Sequence, residues 1–117
     1  MDITHLHLNT RDRVRAEAFY RTWFGLTVKK HGETLSFING ERDFLLALMD
    51  DPAPEPAPSW FHFGMRMESP DAVRAKHEAL AAGGVPITRP MKNEPAITSF
   101  RCADPDGYWI EIYWLPD

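Results

Sequence analysis

Residues 12–16 read Asp-Arg-Val-Arg-Ala and residues 71–75 read Asp-Ala-Val-Arg-Ala, so a short run recurs 59 positions later, from 12 to 71. At the same offset Gly25 corresponds to Gly84. Each run precedes an apolar pattern of helical period. Aspartate or serine ahead of such a pattern caps a helix start, and glycine suits its end. The repeat therefore predicts two related modules, each built around one helix.

Apolar stretches of strand length flank both predicted helices. One strand precedes each helix and three follow it, so each module reads βαβββ. The residues after 89, including Lys92, are predicted to form a loop. The predicted strands are 3–8, 27–30, 35–38 and 44–49 in the first module, and 60–67, 86–89, 98–103 and 108–114 in the second.

A connector with proline at every second position, residues 52–58, separates the modules. Such a segment favours a stiff, extended backbone without internal hydrogen bonds. Neither half is long enough to fold well alone, so we predict a single domain of the α+β class spanning residues 1–117. It consists of module one (1–51), the connector and module two (59–117).

Charge, hydropathy and cysteine content argue against several classes of function. The formal net charge is -4 and the 13 basic residues form no run, which disfavours binding to nucleic acid or to an anionic membrane. No apolar stretch approaches the length of a membrane span, and the N-terminus shows no secretion signal, so a cytoplasmic location is expected. Cys102 is the only cysteine, cannot form an internal disulfide, and is expected to be buried and inert.

Three predicted strands each carry a metal-type ligand on one face and apolar side chains on the other. Because side chains alternate along a strand, His5 and His7 share one face of the first strand. His62 and Glu111 likewise lie opposite the apolar faces of their strands. Two histidines and one carboxylate around an open metal form the facial triad of non-haem iron sites, and zinc or manganese can use a similar set. His5, His62 and Glu111 are therefore candidate metal ligands.

The whole chain resembles the vicinal oxygen chelate superfamily, which includes glyoxalase I, type I extradiol dioxygenases, fosfomycin-resistance thiol transferases, methylmalonyl-CoA epimerase and bleomycin-binding proteins. The two modules, the histidine in the first strand of each, and the run Asp-Pro-Asp-Gly-x-x-x-Glu at residues 104–111 carry the resemblance. It implies mixed sheets that curl into a half-open cup, the glyoxalase/dioxygenase-like fold. It also implies a manganese, iron, zinc or nickel ion on His5, His62 and Glu111, and a homodimer whose active sites use both chains.

Departures from individual family patterns weaken several specific activities. Glyoxalase I has a fourth ligand, a glutamate, in the strand that ends the first module, whereas residues 44–49 contain no carboxylate. Methylmalonyl-CoA epimerase uses glutamine there, and this chain contains no glutamine. Fosfomycin transferases place threonine where this chain has His7. Extradiol dioxygenases have a tyrosine at the place of Arg101.

Each candidate ligand also has a structural alternative. His5 and His62 could be core histidines that hydrogen-bond a neighbour. Glu111 could lie in water on an edge strand, although an unpaired carboxylate among apolar neighbours would be costly to bury. His7 could be a general base near the metal, a fourth ligand, or a polar wall residue.

Arg66 and Arg101 fall on the ligand faces of their strands. A guanidinium inside a cup needs an anionic partner, so both are candidate substrate-binding residues, with exposure at the rim as the alternative for Arg66. The sequence thus predicts a metal-dependent enzyme acting on a small oxyanionic molecule through two neighbouring oxygens. Lyase or isomerase chemistry, thiol transfer and dioxygen activation all stay open. The alternative is a protein that sequesters a drug or metabolite without turnover, as bleomycin-resistance proteins do.

Overall fold

Each half of the chain forms a four-stranded sheet with one helix in the computed structural model, which describes all 117 residues. The two units are Met1–Pro56 and Ala57–Asp117. The first contains β1 (His5–Thr10), α1 (Arg13–Phe24), β2 (Thr27–His31), β3 (Leu35–Asn39) and β4 (Leu45–Asp50). The second contains β5 (His62–Arg66), α2 (Pro70–Ala82), β6 (Ile87–Glu94), β7 (Ile97–Ala103) and β8 (Trp109–Trp114).

The two sheets have the same topology. The strand order is β1-β4-β3-β2 in the first unit and β5-β8-β7-β6 in the second. In each sheet the first strand pairs in parallel with the last, and the other pairs are antiparallel. Both sheets are mixed and neither is closed, which confirms the predicted α+β class with two βαβββ modules.

The starts of the two helices are separated by a different number of residues than their ends. Asp12 caps α1 and Ser69 caps α2, each through a side-chain oxygen that accepts a backbone N–H. These caps are 57 positions apart, from 12 to 69. Gly25 (φ 66°) and Gly84 (φ 79°), the left-handed residues after the helices, are 59 positions apart. The segment from the N-cap of the helix to the left-handed glycine is therefore two residues longer in the second module. The repeated sequence run consequently does not begin at equivalent positions of the two helices.

Each helix packs its apolar face against its own sheet. α1 buries Ala16 and Tyr20 and lies against β2 and β4, while α2 buries Val73 and Leu80 and lies against β6, β7 and β8. Phe100 of β7 is fully buried beneath α2, so the alternate residues of that strand point to the opposite face of the sheet. Neither helix is long and apolar enough to cross a membrane.

The predicted strand bounds agree with the structure to within two residues, except in β6. This strand extends from Ile87 to Glu94, so the loop predicted around Lys92 is wrong. Lys92 is instead the register partner of Ser99 in β7. Proline inside a stretch argues against a central strand, but β6 is at the edge of its sheet, where the missing N–H of Pro90 is tolerated.

Candidate functional site

Three adjacent strands of the second sheet place polar side chains next to one another. β8 lies between β5 and β7. Glu111 of β8 is the register partner of both Gly64 in β5 and Arg101 in β7. His62 shares the face of Gly64 on β5, because it lies two residues earlier. Since β8 has a neighbour on each side, the alternative of an edge strand for Glu111 is wrong.

The turn before β8 sets this register. Asp104 Oδ1 accepts the backbone N–H of Tyr108 at 3.0 Å, and the Asp104 N–H donates to the Tyr108 carbonyl at 2.9 Å. Gly107 adopts a left-handed φ of 87°, which side chains other than glycine disfavour. A fixed turn fixes the register of the hairpin it joins, so this turn holds Arg101 opposite Glu111.

His62 and Glu111 form the candidate ligand pair. His62 Nε2 lies 3.9 Å from Glu111 Oε2, and the two side chains are 33% and 20% exposed. The other ring nitrogen, Nδ1, lies 3.0 Å from the carbonyl oxygen of Trp60. A carbonyl can only accept, so Nδ1 carries a proton.

Arg101 contacts both members of this pair. Its Nη2 lies 3.2 Å from His62 Nε2, and its Nε lies 3.5 Å from Glu111 Oε1. A guanidinium can only donate, so this contact requires a lone pair on His62 Nε2, which is available in the neutral ring when Nδ1 carries the proton. Arg101 Nε is buried without a hydrogen-bond partner, which means that its ion pair with Glu111 lacks hydrogen-bond geometry.

The donor set fits a divalent metal. An imidazole lone pair and a carboxylate are ligands for manganese, iron, zinc and nickel, and a backbone carbonyl on the second ring nitrogen commonly orients such a histidine. Metal bonds of about 2.0–2.2 Å separate neighbouring ligand atoms by roughly 3–3.5 Å, so the pair needs only a small side-chain shift. Within neither unit do three His, Cys, Asp or Glu side chains group together, so His62 and Glu111 supply two ligands only.

The histidines of β1 lie on its exposed face in the first unit. His5 and His7 are both exposed. His7 Nε2 lies 2.7 Å from Asn9 Oδ1, and Asn9 Nδ2 donates to Asp51 at 3.1 Å. Because Asn9 Oδ1 can only accept, His7 Nε2 carries a proton in this arrangement, which leaves Nδ1 as the nitrogen whose lone pair is available in the neutral ring.

Arg66 is held at the end of β5 by the C-terminal residues. Its Nη2 donates to the Leu115 carbonyl at 3.0 Å and to Asp117 Oδ1 at 3.1 Å. Half of the side chain is exposed. Alternation puts Arg66 on the face of His62, but its charge already has a partner.

Sequence reasoning missed Tyr113, which lies on the same face of β8 as Glu111. A Cβ built on Gly64 would come within 2.8 Å of Tyr113 Cε1, so the tyrosine ring covers the glycine beside His62. A glycine inside a strand marks a place of close approach, and Gly64 was the available signal.

A second unpredicted cluster links α1 to β2 and β3 in the first unit. Glu17 Oε1 accepts from Ser36 Oγ at 2.5 Å and lies 2.7 Å from His31 Nδ1, while Arg13 donates to Ser36 Oγ at 2.9 Å. Burial raises the pKa of Glu17, but the hydrogen bonds of Ser36 and His31 and the nearby charges of His31 and Arg13 outweigh it, so the pKa lies below its ordinary value. Ser36 is fully buried and Glu17 is 8% exposed, so these hydrogen bonds lie beneath α1, where we expect them to stabilise the fold.

Cys102 is buried in β7. Burial, with a smaller contribution from the charge of Asp104, raises the pKa of the thiol to about 12. The thiolate is the reactive form, so the cysteine is inert at neutral pH, in agreement with the sequence.

Comparison with known proteins places the chain among related folds. The family model described as Glyoxalase/Bleomycin resistance protein/Dioxygenase superfamily matches residues 2–112. A possible glyoxalase from Bacillus cereus is 30% identical, with a TM-score of 0.83 and coverage of 96% of this chain and 97% of that chain. No curated protein matches the chain.

Two more distant structures share the fold. Lactoylglutathione lyase from Agrobacterium tumefaciens is 23% identical, with a TM-score of 0.79 over 97% of this chain and 92% of that chain. The genomically encoded fosfomycin resistance protein from Listeria monocytogenes is 17% identical, with a TM-score of 0.83 over 99% of this chain and 94% of that chain. At these identities the likeness concerns the fold alone.

Proposed function

The chain belongs to the glyoxalase/bleomycin resistance protein/dioxygenase superfamily, and on that premise we propose that it is a divalent-metal-dependent enzyme acting on a small oxyanionic molecule. His62 and Glu111 supply two metal ligands, and His5 supplies the third. The observation that supports this most is the approach of His62 Nε2 to Glu111 Oε2 at 3.9 Å, with the ring proton held on Nδ1 by Trp60. Manganese, iron, zinc and nickel all suit these ligands, since nitrogen and carboxylate donors do not discriminate sharply among them.

The surrounding residues have distinct roles in this proposal. When bound, the metal supplies Lewis-acid polarisation of two neighbouring substrate oxygens. Arg101, beside Glu111, binds the anionic group of the substrate through its planar guanidinium. His7 accepts a proton at Nδ1, because its Nε2 already donates a hydrogen bond. Arg66 is a second contact for the substrate if it leaves Asp117.

The first experiment tests the metal and the reaction together. Native protein and Glu111→Ala are assayed for metal content, and for turnover of 2-oxo acids, catechols, hemithioacetals, and fosfomycin with thiols. Glu78→Ala, which removes an exposed carboxylate from α2, is the matched control. We expect Glu111→Ala to keep its fold and lose metal affinity by about 100-fold or more, since a ligand contributes at least as much as the groups that orient it. The substrate that turns over identifies lyase or isomerase, thiol-transfer or dioxygen chemistry.

The same assay distinguishes an enzyme from a sequestering protein. A sequestering protein would bind one of these compounds tightly, release it unchanged, and show the same affinity without metal. That result, in both the native protein and Glu111→Ala, would contradict the enzyme proposal.

The proposal includes a cytoplasmic homodimer in which His5 of one copy completes the site of the other. Mixing His5→Ala with Glu111→Ala tests this assembly. In a mixed dimer with shared sites, one site has both substitutions and the other has neither. Random pairing of equal amounts makes about half of the dimers mixed, and each of these has one intact site of two, so roughly a quarter of the native metal content should return. Sites built within one chain would give no restoration, and sedimentation as a monomer with full metal content would also exclude the shared arrangement.

A further inference from the structure

The guanidinium of Arg101 contacts both candidate ligands, His62 and Glu111. Its Nη2 is 3.2 Å from Nε2 of His62, and that nitrogen has the only lone pair of the ring, since Nδ1 donates to Trp60. Its Nε faces Oε1 of Glu111 at 3.5 Å. A metal ion needs the same lone pair, so the guanidinium and a metal cannot hold His62 Nε2 at the same time.

The contact of Arg101 with Glu111 is weaker than its contact with His62. The ion pair with Glu111 is longer than a hydrogen bond, and the buried Nε has no hydrogen-bond partner. A buried donor that lacks a hydrogen bond is costly, because an ion pair at 3.5 Å only partly replaces its hydrogen bond to water. The observed arrangement therefore carries a penalty that is relieved when the guanidinium moves, while the exposed third of His62 gives an ion a way in.

We propose that Arg101 is an internal cation that keeps His62 and Glu111 paired in the metal-free protein and competes with the metal for them. This inference rests on the proposed function, because it takes the metal to bind at this pair. The positive charge acts in two ways: it neutralises the partly buried carboxylate of Glu111 when no metal is bound, and it repels an incoming divalent ion. Once displaced, the same guanidinium is available to the anionic group of a substrate, so substrate and metal should strengthen each other's binding.

The test is the affinity of chelator-treated protein for Mn²⁺ and Zn²⁺, measured by equilibrium dialysis. Arg101→Gln removes the charge and keeps a polar side chain of similar reach. Arg74→Gln is the matched control, because Arg74 lies on α2, bonds Asn93 and Asp71, and is 45% exposed. We expect Arg101→Gln to bind metal at least about tenfold more tightly than native protein, and Arg74→Gln to stay within about twofold. Added metal should also raise the melting temperature of Arg101→Gln by more than that of native protein.

The outcomes separate this inference from the proposed function. Equal affinity in native protein and Arg101→Gln, with loss in Glu111→Ala, overturns the competition and leaves the metal site in place. Weaker binding by Arg101→Gln also overturns it, since Arg101 would then support the metal. No binding by any variant overturns the proposed function and this inference with it.

A folding defect in Arg101→Gln does not end the test. Arg101→Lys keeps a charge beside Glu111, but a single ammonium cannot cover both ligands as a guanidinium does. We expect this variant to fold and to bind metal about threefold or more tightly than native protein. An unchanged affinity in Arg101→Lys overturns the proposal.

Discussion

The two modules share one topology but differ at corresponding positions on the sheet faces that point away from the helices. His5 and His62 are 57 positions apart, as are the helix caps, so β1 and β5 correspond at this offset. In the first module Ala47 of β4 is the register partner of His7 in β1 and of Phe37 in β3. The corresponding row of the second module has Glu111 of β8 between Gly64 in β5 and Arg101 in β7. Both modules have the histidine, and only the second has the carboxylate with its guanidinium partner.

The first module places its charges on the other side of its sheet. Arg13 and Glu17 extend from α1 to Ser36 of β3, beneath the helix, and Arg13 Nε lies 3.0 Å from Asp50 Oδ2. Those groups are paired and mostly buried, so they contribute to stability. In the second module the pair His62 and Glu111 is partly exposed and only loosely neutralised. The first module therefore places its polar groups where they stabilise the fold, whereas the second holds the residues to which we assign metal binding in the proposed function.

The largest expected effect comes from giving the first module the carboxylate of the second. Ala47 is 3% exposed and lies between His7 and Phe37, so Ala47→Glu buries a carboxylate with no guanidinium beside it. We expect a loss of about 2–4 kcal/mol in the free energy of unfolding, measured by denaturant titration. Adding Phe37→Arg should recover about 1 kcal/mol or more, because it recreates the pairing of Glu111 with Arg101. A well-tolerated single substitution would contradict the comparison.

The next effect concerns the cluster under α1. Arg13→Met leaves Ser36, the carbonyl of Glu33 and Asp50 without their guanidinium partner. We expect a loss of about 2–3 kcal/mol in unfolding free energy, because the buried Ser36 hydroxyl and the partly buried Glu33 carbonyl lose charge-assisted hydrogen bonds. Arg74→Met, at an exposed arginine of the second module, should change it by no more than about 0.5 kcal/mol. Equal effects at the two sites would show that the first cluster is not structural.

A smaller effect distinguishes the positions of His7 and Gly64. Gly64→Ala places a Cβ within 2.8 Å of the Tyr113 ring, and we expect a loss of about 1–2 kcal/mol. His7→Ala, at the corresponding exposed position of β1, should change stability by less than about 0.5 kcal/mol. Combining Gly64→Ala with Tyr113→Ala should remove the steric part of the penalty, and a penalty that persists unchanged would locate its cause elsewhere.

The smallest effect is a pH dependence that belongs to the first module. The pKa of Glu17 is lowered in the folded protein, because Ser36, His31 and Arg13 outweigh its burial. Its contribution to stability is therefore complete above the ordinary glutamate pKa, and it is lost as the pH falls through the lower folded value. Unfolding titrations from neutral to acidic pH should show this loss in native protein. The slope should decrease in Glu17→Gln, and an unchanged slope would assign it to other groups.

The amino-acid sequence determined the fold and the faces of the strands. Alternation placed His62 and Glu111 on one face of their sheet, and the structure has them there because side-chain direction in a strand depends only on position along the chain. The Asp-Pro-Asp-Gly turn at residues 104–107 likewise predicted the hairpin that carries Glu111. Caps and glycines predicted the helix ends, because their preferences are local.

Only the tertiary structure decided which polar groups meet. Arg101 and Glu111 are register partners on neighbouring strands, and Glu17 of α1 contacts His31 and Ser36. Local periodicity does not identify such partners, because strand register or helix packing sets each pair. The edge position of β6 is also a property of the whole sheet, so the local sequence around Pro90 and Lys92 predicts a loop where the structure has a strand. A sequence pattern fixes the direction of a side chain, whereas its partner depends on residues brought near by folding of the whole module.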